Sequence, residues 1–187
     1  EKNILVTFHP VTLEKSTAEI QFRELLSALD ELKDTKIIFT KSNSDTDGRV
    51  INRMIDDYVA DHDSTISFTS MGQLNYLSAL QYMDAVVGNS SSGLIEAPSF
   101  KIATIDIGDR QKGRIKSESV ISCSPQKDDI CKSLIKLYSK EFQILIKNTK
   151  NPYGAGGASH KIINIIKDIN LIEILKKSFY DLVSNGK

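Results

Sequence analysis

The chain has 187 residues, enough for one full domain and crowded for two. Its 24 basic and 24 acidic residues cancel, so no global field draws it to nucleic acid or to an anionic membrane. No apolar run approaches the roughly 18 residues of a membrane helix, nothing at the start reads as a signal peptide, and Cys123 and Cys131 lack metal-site spacing. The expectation is a cytoplasmic protein with two ordinary thiols and with neither nucleic acid nor membrane among its partners. Any anion site must then be local, built from backbone amides and a few side chains.

Short apolar runs rich in Ile, Val and Phe alternate with helical patterns along the chain. "ILVTF" opens the series at residue 4, so close to the first residue that the chain reads as a piece of something longer. A helix follows, in which Ser16 and Glu19 make a capping-box pair and Phe22, Leu25, Leu26, Leu29 and Leu32 recur at helical spacing. After the strand "KIIFT", a second helix carries Ile51, Met54, Ile55 and Tyr58 at i, i+3, i+4 and i+7. The strand "TISFT" precedes a weaker helix over 73–83, with Leu74, Leu77 and Leu80 expected on one side. "DAVVG", "IATIDIG" and "SVISC" supply three more strands. Continuous apolar strands alternating with helices predict a doubly wound parallel α/β domain with both faces covered.

Beyond Ile121 the pattern changes. A helix near 127–140 leads into the polar segment "KNTKNPYGAGGAS", which reads as a hinge, and then into an Ile-rich helix from about 159. That helix carries Ile162, Ile163, Ile165, Ile166, Ile169, Leu171, Ile174 and Leu175, more apolar surface than one sheet face needs. The expected division is therefore a domain over 1–158 and a C-terminal helix over 159–187 that reaches another domain.

In an open α/β sheet, ligands bind beyond the carboxyl ends of the strands, where the strand order reverses. Four donor-rich segments fall at that edge: "FHPVT", "TKSNSDTDGR", "GNSSSG" and "IGDRQKGR". In "GNSSSG", Gly88 and Gly93 permit tight backbone paths, and Ser90, Ser91 and Ser92 each bring an amide and a hydroxyl. A helix beginning near Gly93 would aim its free N–H groups at the same spot, which suits a phosphate or diphosphate. The same residues would also serve as a serine-capped helix start with no ligand.

Glu96, one turn on, suits the paired hydroxyls of a ribose, or else simply favours the helix N-terminus. His9, extended by the following Pro10, is aimed over the edge, where it could contact phosphate or assist a leaving diphosphate. Arg110 and Arg114 can reach anionic oxygens, or be solvated surface charge. His62 and His160 take no role. Asn43, Asp45 and Asp47 sit in part of a calcium-loop pattern, but the later glutamate is missing, and turn and cap chemistry explains them.

Taken together, "FHPVT", "SNSDTDGR", "YLSALQYMDAVVGNSSSGLIEAPSF", "IGDRQKGR" and "NPYGAGGAS" resemble, in order and across nearly the whole chain, the hydrolysing UDP-N-acetylglucosamine 2-epimerases of the sialic- and legionaminic-acid branch. The resemblance implies a GT-B architecture of two Rossmann-like domains, of which this chain is the C-terminal, UDP-binding half. It implies that Ser90, Ser91 and Ser92 with Gly93 bind the UDP diphosphate, that Glu96 holds the ribose, and that His9 and Arg110 act in support near the diphosphate. The partners implied are a UDP-sugar, UDP, the missing N-terminal domain and a second copy of the chain, with no metal or redox cofactor. The chain departs from the family at Ala155, where an acidic residue is expected. The acidic residues that move the C2 proton are expected in the other half, so this half alone is expected to be inactive.

Three alternatives stand beside this one. The donor domain of a GT-B glycosyltransferase would carry the same cradle. A UDP-N,N'-diacetylbacillosamine 2-epimerase of the same family would differ only in its sugar. A flavodoxin-like regulatory module should show acidic clusters and a lysine at strand ends, whereas the first strand here ends in Thr7, His9 and Thr12.

Overall fold

The computed structural model describes residues 2–11, 17–42 and 46–170. In chain order these form β1 (Lys2–Thr7), α1 (Ala18–Leu29), β2 (Thr35–Thr40), α2 (Thr46–Asp61), β3 (Thr65–Phe68), α3 (Gly72–Leu80) and β4 (Ala85–Gly88). There follow α4 (Ser92–Ile95), a 3-10 turn (Ala97–Phe100), β5 (Ala103–Ile107), β6 (Val120–Cys123), α5 (Lys127–Leu137), α6 (Lys140–Asn148) and α7 (Ala158–Asp168). The six strands read from the sequence are all present. They pair in parallel in the order β3-β2-β1-β4-β5-β6. This is the Rossmann order, with its reversal between β1 and β4, and not the flavodoxin order, which removes the regulatory-module reading.

Burial follows position in the sheet. β4 and β5 are buried throughout, whereas β3, at one edge, alternates half-buried and exposed residues. One face carries Ile4, Val6, Ile37, Phe39, Val87 and Ile105, packed with Phe22 and Leu25 of α1, Ile51 and Ile55 of α2, and Ile130 and Leu134 of α5. The other face is smaller: Leu5 and Val86 meet Leu80, Ala97 and Ile102. At about 25 cal/mol per Å² of apolar surface buried, the first face supplies most of the hydrophobic stabilisation.

One sequence expectation needs correction. Leu74 does not share a buried side with Leu80; it is 79% exposed. Successive i+3 steps drift by about 60° around a helix, so Leu74 leaves the arc that Tyr76, Leu77 and Leu80 bury. The helix expected near 127–140 is α5, and the sequence reading did not include α6 after it, where the Ser139 side chain caps the start by accepting from Phe142 N–H. The Ser16–Glu19 capping box, Leu171, Ile174 and Leu175 lie wholly or partly outside the described residues.

Compactness divides the chain into a unit over 1–154 and a second over 155–187. Within the second, α7 has no buried residue, and Ile162, Ile163, Ile165 and Ile166 are exposed.

The β1–β4 seam requires glycine at one position. Gly88 has φ +136°, and a Cβ there would lie 2.0 Å from the Thr7 carbonyl oxygen. Gly88→Ala is expected to lower stability by at least about 2 kcal/mol in urea unfolding, because neither backbone can retreat without breaking the sheet.

Candidate functional site

The parallel sheet brings the loops after β1, β2, β4 and β5 to one edge, and the hydrogen bonds there join them. Asn89, immediately after β4, extends the seam by donating its N–H to Thr7 O at 3.1 Å. Its side chain bonds the backbone of His9 reciprocally: His9 N–H donates to Oδ1 and Nδ2 donates to His9 O, both at 2.7 Å. His9 Nδ1 lies 3.1 Å from the Ser42 hydroxyl in the loop after β2. Ser42 is itself held by Asn52 of α2, whose amide bonds both the Ser42 N–H and its carbonyl. From the other side, Arg110 Nη1 and Gln111 Nε2 donate to the Asn89 carbonyl at 2.9 and 2.7 Å.

His9, the serine turn and Arg110, read separately in the sequence, therefore meet around one residue. Asn89, Ser42 and Gln111 were not singled out there. A buried Asn beside a Gly at a strand end was the available signal for the first, and a polar loop offers none that separates Ser42 or Gln111 from its neighbours.

The serine turn divides by function. Among the described residues, the amides of Ser90 and Ser91 and the Ser91 hydroxyl have no hydrogen-bond partner. The Ser92 hydroxyl is committed to Tyr76 OH at 2.5 Å. Gly93 is a packing residue: a Cβ would lie 2.5 Å from Thr104 Cγ2, and its carbonyl accepts from Thr104 Oγ1 at 2.6 Å. The helix expected near Gly93 does begin there, but α4 is a single turn that passes into the 3-10 turn at Glu96, with Pro98 near its start. What the turn offers an anion is thus individual N–H groups, with little help from a helix dipole.

Among the described residues, buried Glu96 Oε2 has no hydrogen-bond partner, so it can accept one. Burial pushes the pKa of the neighbouring Tyr76 phenol up, the Ser92 hydrogen bond opposes that, and the Glu96 charge adds to the rise. Arg110 is held below the ordinary arginine value by burial and by the neighbouring Arg114, so two cations share this mouth. An anion between them would relieve that repulsion.

The far end of the arginine loop is fixed by Lys116, whose Nζ reaches the fully buried Asp106 at 2.8 Å and the Ser122 hydroxyl at 2.7 Å. Tyr153 OH donates to Ile115 O, and Asn151 Nδ2 donates to Ile95 O beside Glu96. At this edge a groove of about 540 Å³ runs along the loops after β5 and β6, with Gly108, Asp109, Lys112 and Ser124 on its walls. A groove of about 720 Å³ lies elsewhere, between α1 and α5, with Lys2, Lys127, Cys131 and Tyr138 on its walls and none of the site residues. Among the described residues no cluster of His, Cys, Asp or Glu could hold a metal.

These features define a doubly wound, Rossmann-like domain of the kind from which GT-B-type architectures are built. The chain belongs to the UDP-N-acetylglucosamine 2-epimerase family, whose model matches residues 1–167. It is 41% identical over 180 residues to GDP/UDP-N,N'-diacetylbacillosamine 2-epimerase (hydrolyzing) of Campylobacter jejuni, covering 95% of this chain and 46% of that one. It is 37% identical over 184 residues to polysialic acid biosynthesis protein P7 of Escherichia coli, covering 97% and 47%. The S. aureus MnaA–UDP co-structure shares its fold, with a TM-score of 0.70 at 18% identity over 89% of this chain and 44% of that one. The chain spans about half the length of the curated relatives it matches.

The packing role of Gly93 is directly testable. Gly93→Ala should lower the urea midpoint, with a loss of about 1–3 kcal/mol from overpacking. Adding Thr104→Ser should restore most of it, by removing the clashing methyl while keeping the hydroxyl.

Proposed function

We propose that this chain is the nucleotide-binding half of a hydrolysing 2-epimerase that acts on a UDP-linked 2-acetamido sugar. Family membership supports the reaction class. The single observation that carries the site is the pairing of free Ser90 and Ser91 amides with a buried, unpartnered Glu96 oxygen at the β1–β4 switch point. The amides and the Ser91 hydroxyl donate to the diphosphate, Glu96 accepts hydrogen bonds from the ribose hydroxyls, and Arg110 with Arg114 balances the charge.

In the reaction, the C2 proton is removed and the C1–O bond to UDP breaks, leaving a glycal and UDP. Water then adds across C1=C2, its hydroxyl to C1 and a proton to C2 on the opposite face, which releases the 2-epimeric free sugar. The residues here serve the leaving group. His9, whose Nδ1 shares a hydrogen bond with the Ser42 hydroxyl, is held in the loop beside the serine turn, where its ring serves the departing diphosphate as a hydrogen-bonding group. The groups that exchange the C2 proton belong to the part of the relatives' length this chain does not span, so the 187 residues alone bind UDP without turnover. We assign the sugar as UDP-N-acetylglucosamine or a diacetamido relative such as UDP-N,N'-diacetylbacillosamine, a reading supported by the names of the family and of the C. jejuni relative.

Calorimetric titration separates the ribose and diphosphate contacts. Glu96→Gln should weaken UDP by about tenfold while changing 2′,3′-dideoxy-UDP by less than about twofold, since a hydrogen bond to a charged group is worth roughly 1.5–3 kcal/mol. Ser91→Ala should weaken both ligands alike. Equal loss of the two nucleotides in Glu96→Gln would remove the ribose assignment. Full natural chain incubated with each sugar nucleotide and no acceptor should release UDP and free sugar.

A further inference from the structure

The hydrogen bonds at the switch point converge on a residue that has no assigned part in binding. Asn89 is 1% exposed, yet all of its polar groups are used: N–H to Thr7, the amide to both backbone groups of His9, and the carbonyl to Arg110 and Gln111. We propose that Asn89 is the positioning residue of the diphosphate site, clamping the His9 loop and the Arg110 loop onto the serine turn so that three separate donors form one preorganised set. This rests on the UDP-binding reading above.

The chemistry restricts the position to asparagine. Bonding the N–H and C=O of one residue requires a donor and an acceptor side by side in one plane, which is the primary amide. Aspartate would keep the acceptor for His9 N–H but set a second oxygen against the His9 carbonyl, and it would add negative charge beside the diphosphate. Glutamine carries one methylene too many for a site buried between two strands. The carbonyl acts independently of the side chain, because it draws the arginine loop in through Arg110 and Gln111. Chain connectivity then makes the geometry follow: Ser90 and Ser91 are the next two residues, so fixing Asn89 at both ends fixes the direction of their amides. Donors held in place before the ligand arrives cost no ordering when it binds.

The test compares Asn89→Ala, Asn89→Asp and Gln111→Leu with wild type, using the full natural chain, with UDP and uridine as probes and urea midpoints recorded for each. Positioning predicts that Asn89→Ala and Asn89→Asp lose at least about tenfold in UDP affinity, with uridine affinity within about twofold. Gln111→Leu, which removes one carbonyl bond and leaves the side-chain clamp intact, should lose less UDP affinity, again with uridine spared. A merely structural role would lower the urea midpoint and leave the UDP-to-uridine ratio unchanged, which overturns the proposal. If an Asn89 variant does not fold, Gln111→Leu decides by the same ratio. Wild type that fails to bind UDP would overturn the UDP reading itself. Wild type that binds UDP beside variants that bind it equally well would overturn only the role of Asn89.

Discussion

Everything at the active edge depends on how closely β1 and β4 approach at their carboxyl ends. The two strands are sequence-distant neighbours that meet where the strand order reverses. Their contact is tight enough that residue 88 has no room for a side chain beside Thr7 O. That closeness puts Asn89 directly under His9 and lets one amide bridge the two loops. Without it the loops would leave the sheet as independent, solvated turns, and their donors would have to be ordered by the ligand.

The electrostatics of the site follow from the same arrangement. A chain with no net charge has no field to spare, so attraction for a diphosphate must come from local groups. Backbone amides left unpaired by the serine turn supply partial charges, and Arg110 and Arg114 supply whole ones that repel each other until an anion arrives. The loop bearing them is tied at its start to Asn89 and at its end to the buried Asp106 through Lys116. A buried carboxylate of this kind adds little net stability, but removing its partner would leave an uncompensated charge, so the loop's path is strongly specified.

The sheet was legible in the sequence because its signal is local: six apolar runs of strand length, each bounded by polar turns, with helical spacing between most of them. The edge was legible because parallel strands send every strand-to-helix loop the same way. The details of the site were not. Whether Ser92 faces a ligand or Tyr76, and whether Gly93 serves a ligand or makes way for Thr104, depends on contacts between segments 11 to 16 residues apart. The helix expected after Gly93 is cut to one turn, and Pro98 follows within a few residues in the 3-10 turn, a stop signal present in the sequence but outweighed there by the serine pattern. Asn89 was hidden for a different reason: the partners of its side chain are main-chain atoms 80 residues away, and main-chain atoms leave no mark on composition or spacing.

The central claim is that a uridine diphosphate sits at the β1–β4 switch point. The most direct measurement is a titration of the isotope-labelled chain with UDP, followed by backbone amide resonances. The account predicts saturable shifts concentrated at Ser90, Ser91, His9 and Arg110, with the amides of the α1–α5 groove unmoved. Shifts confined to that groove around Lys127 and Cys131, or none anywhere at millimolar UDP, would contradict it.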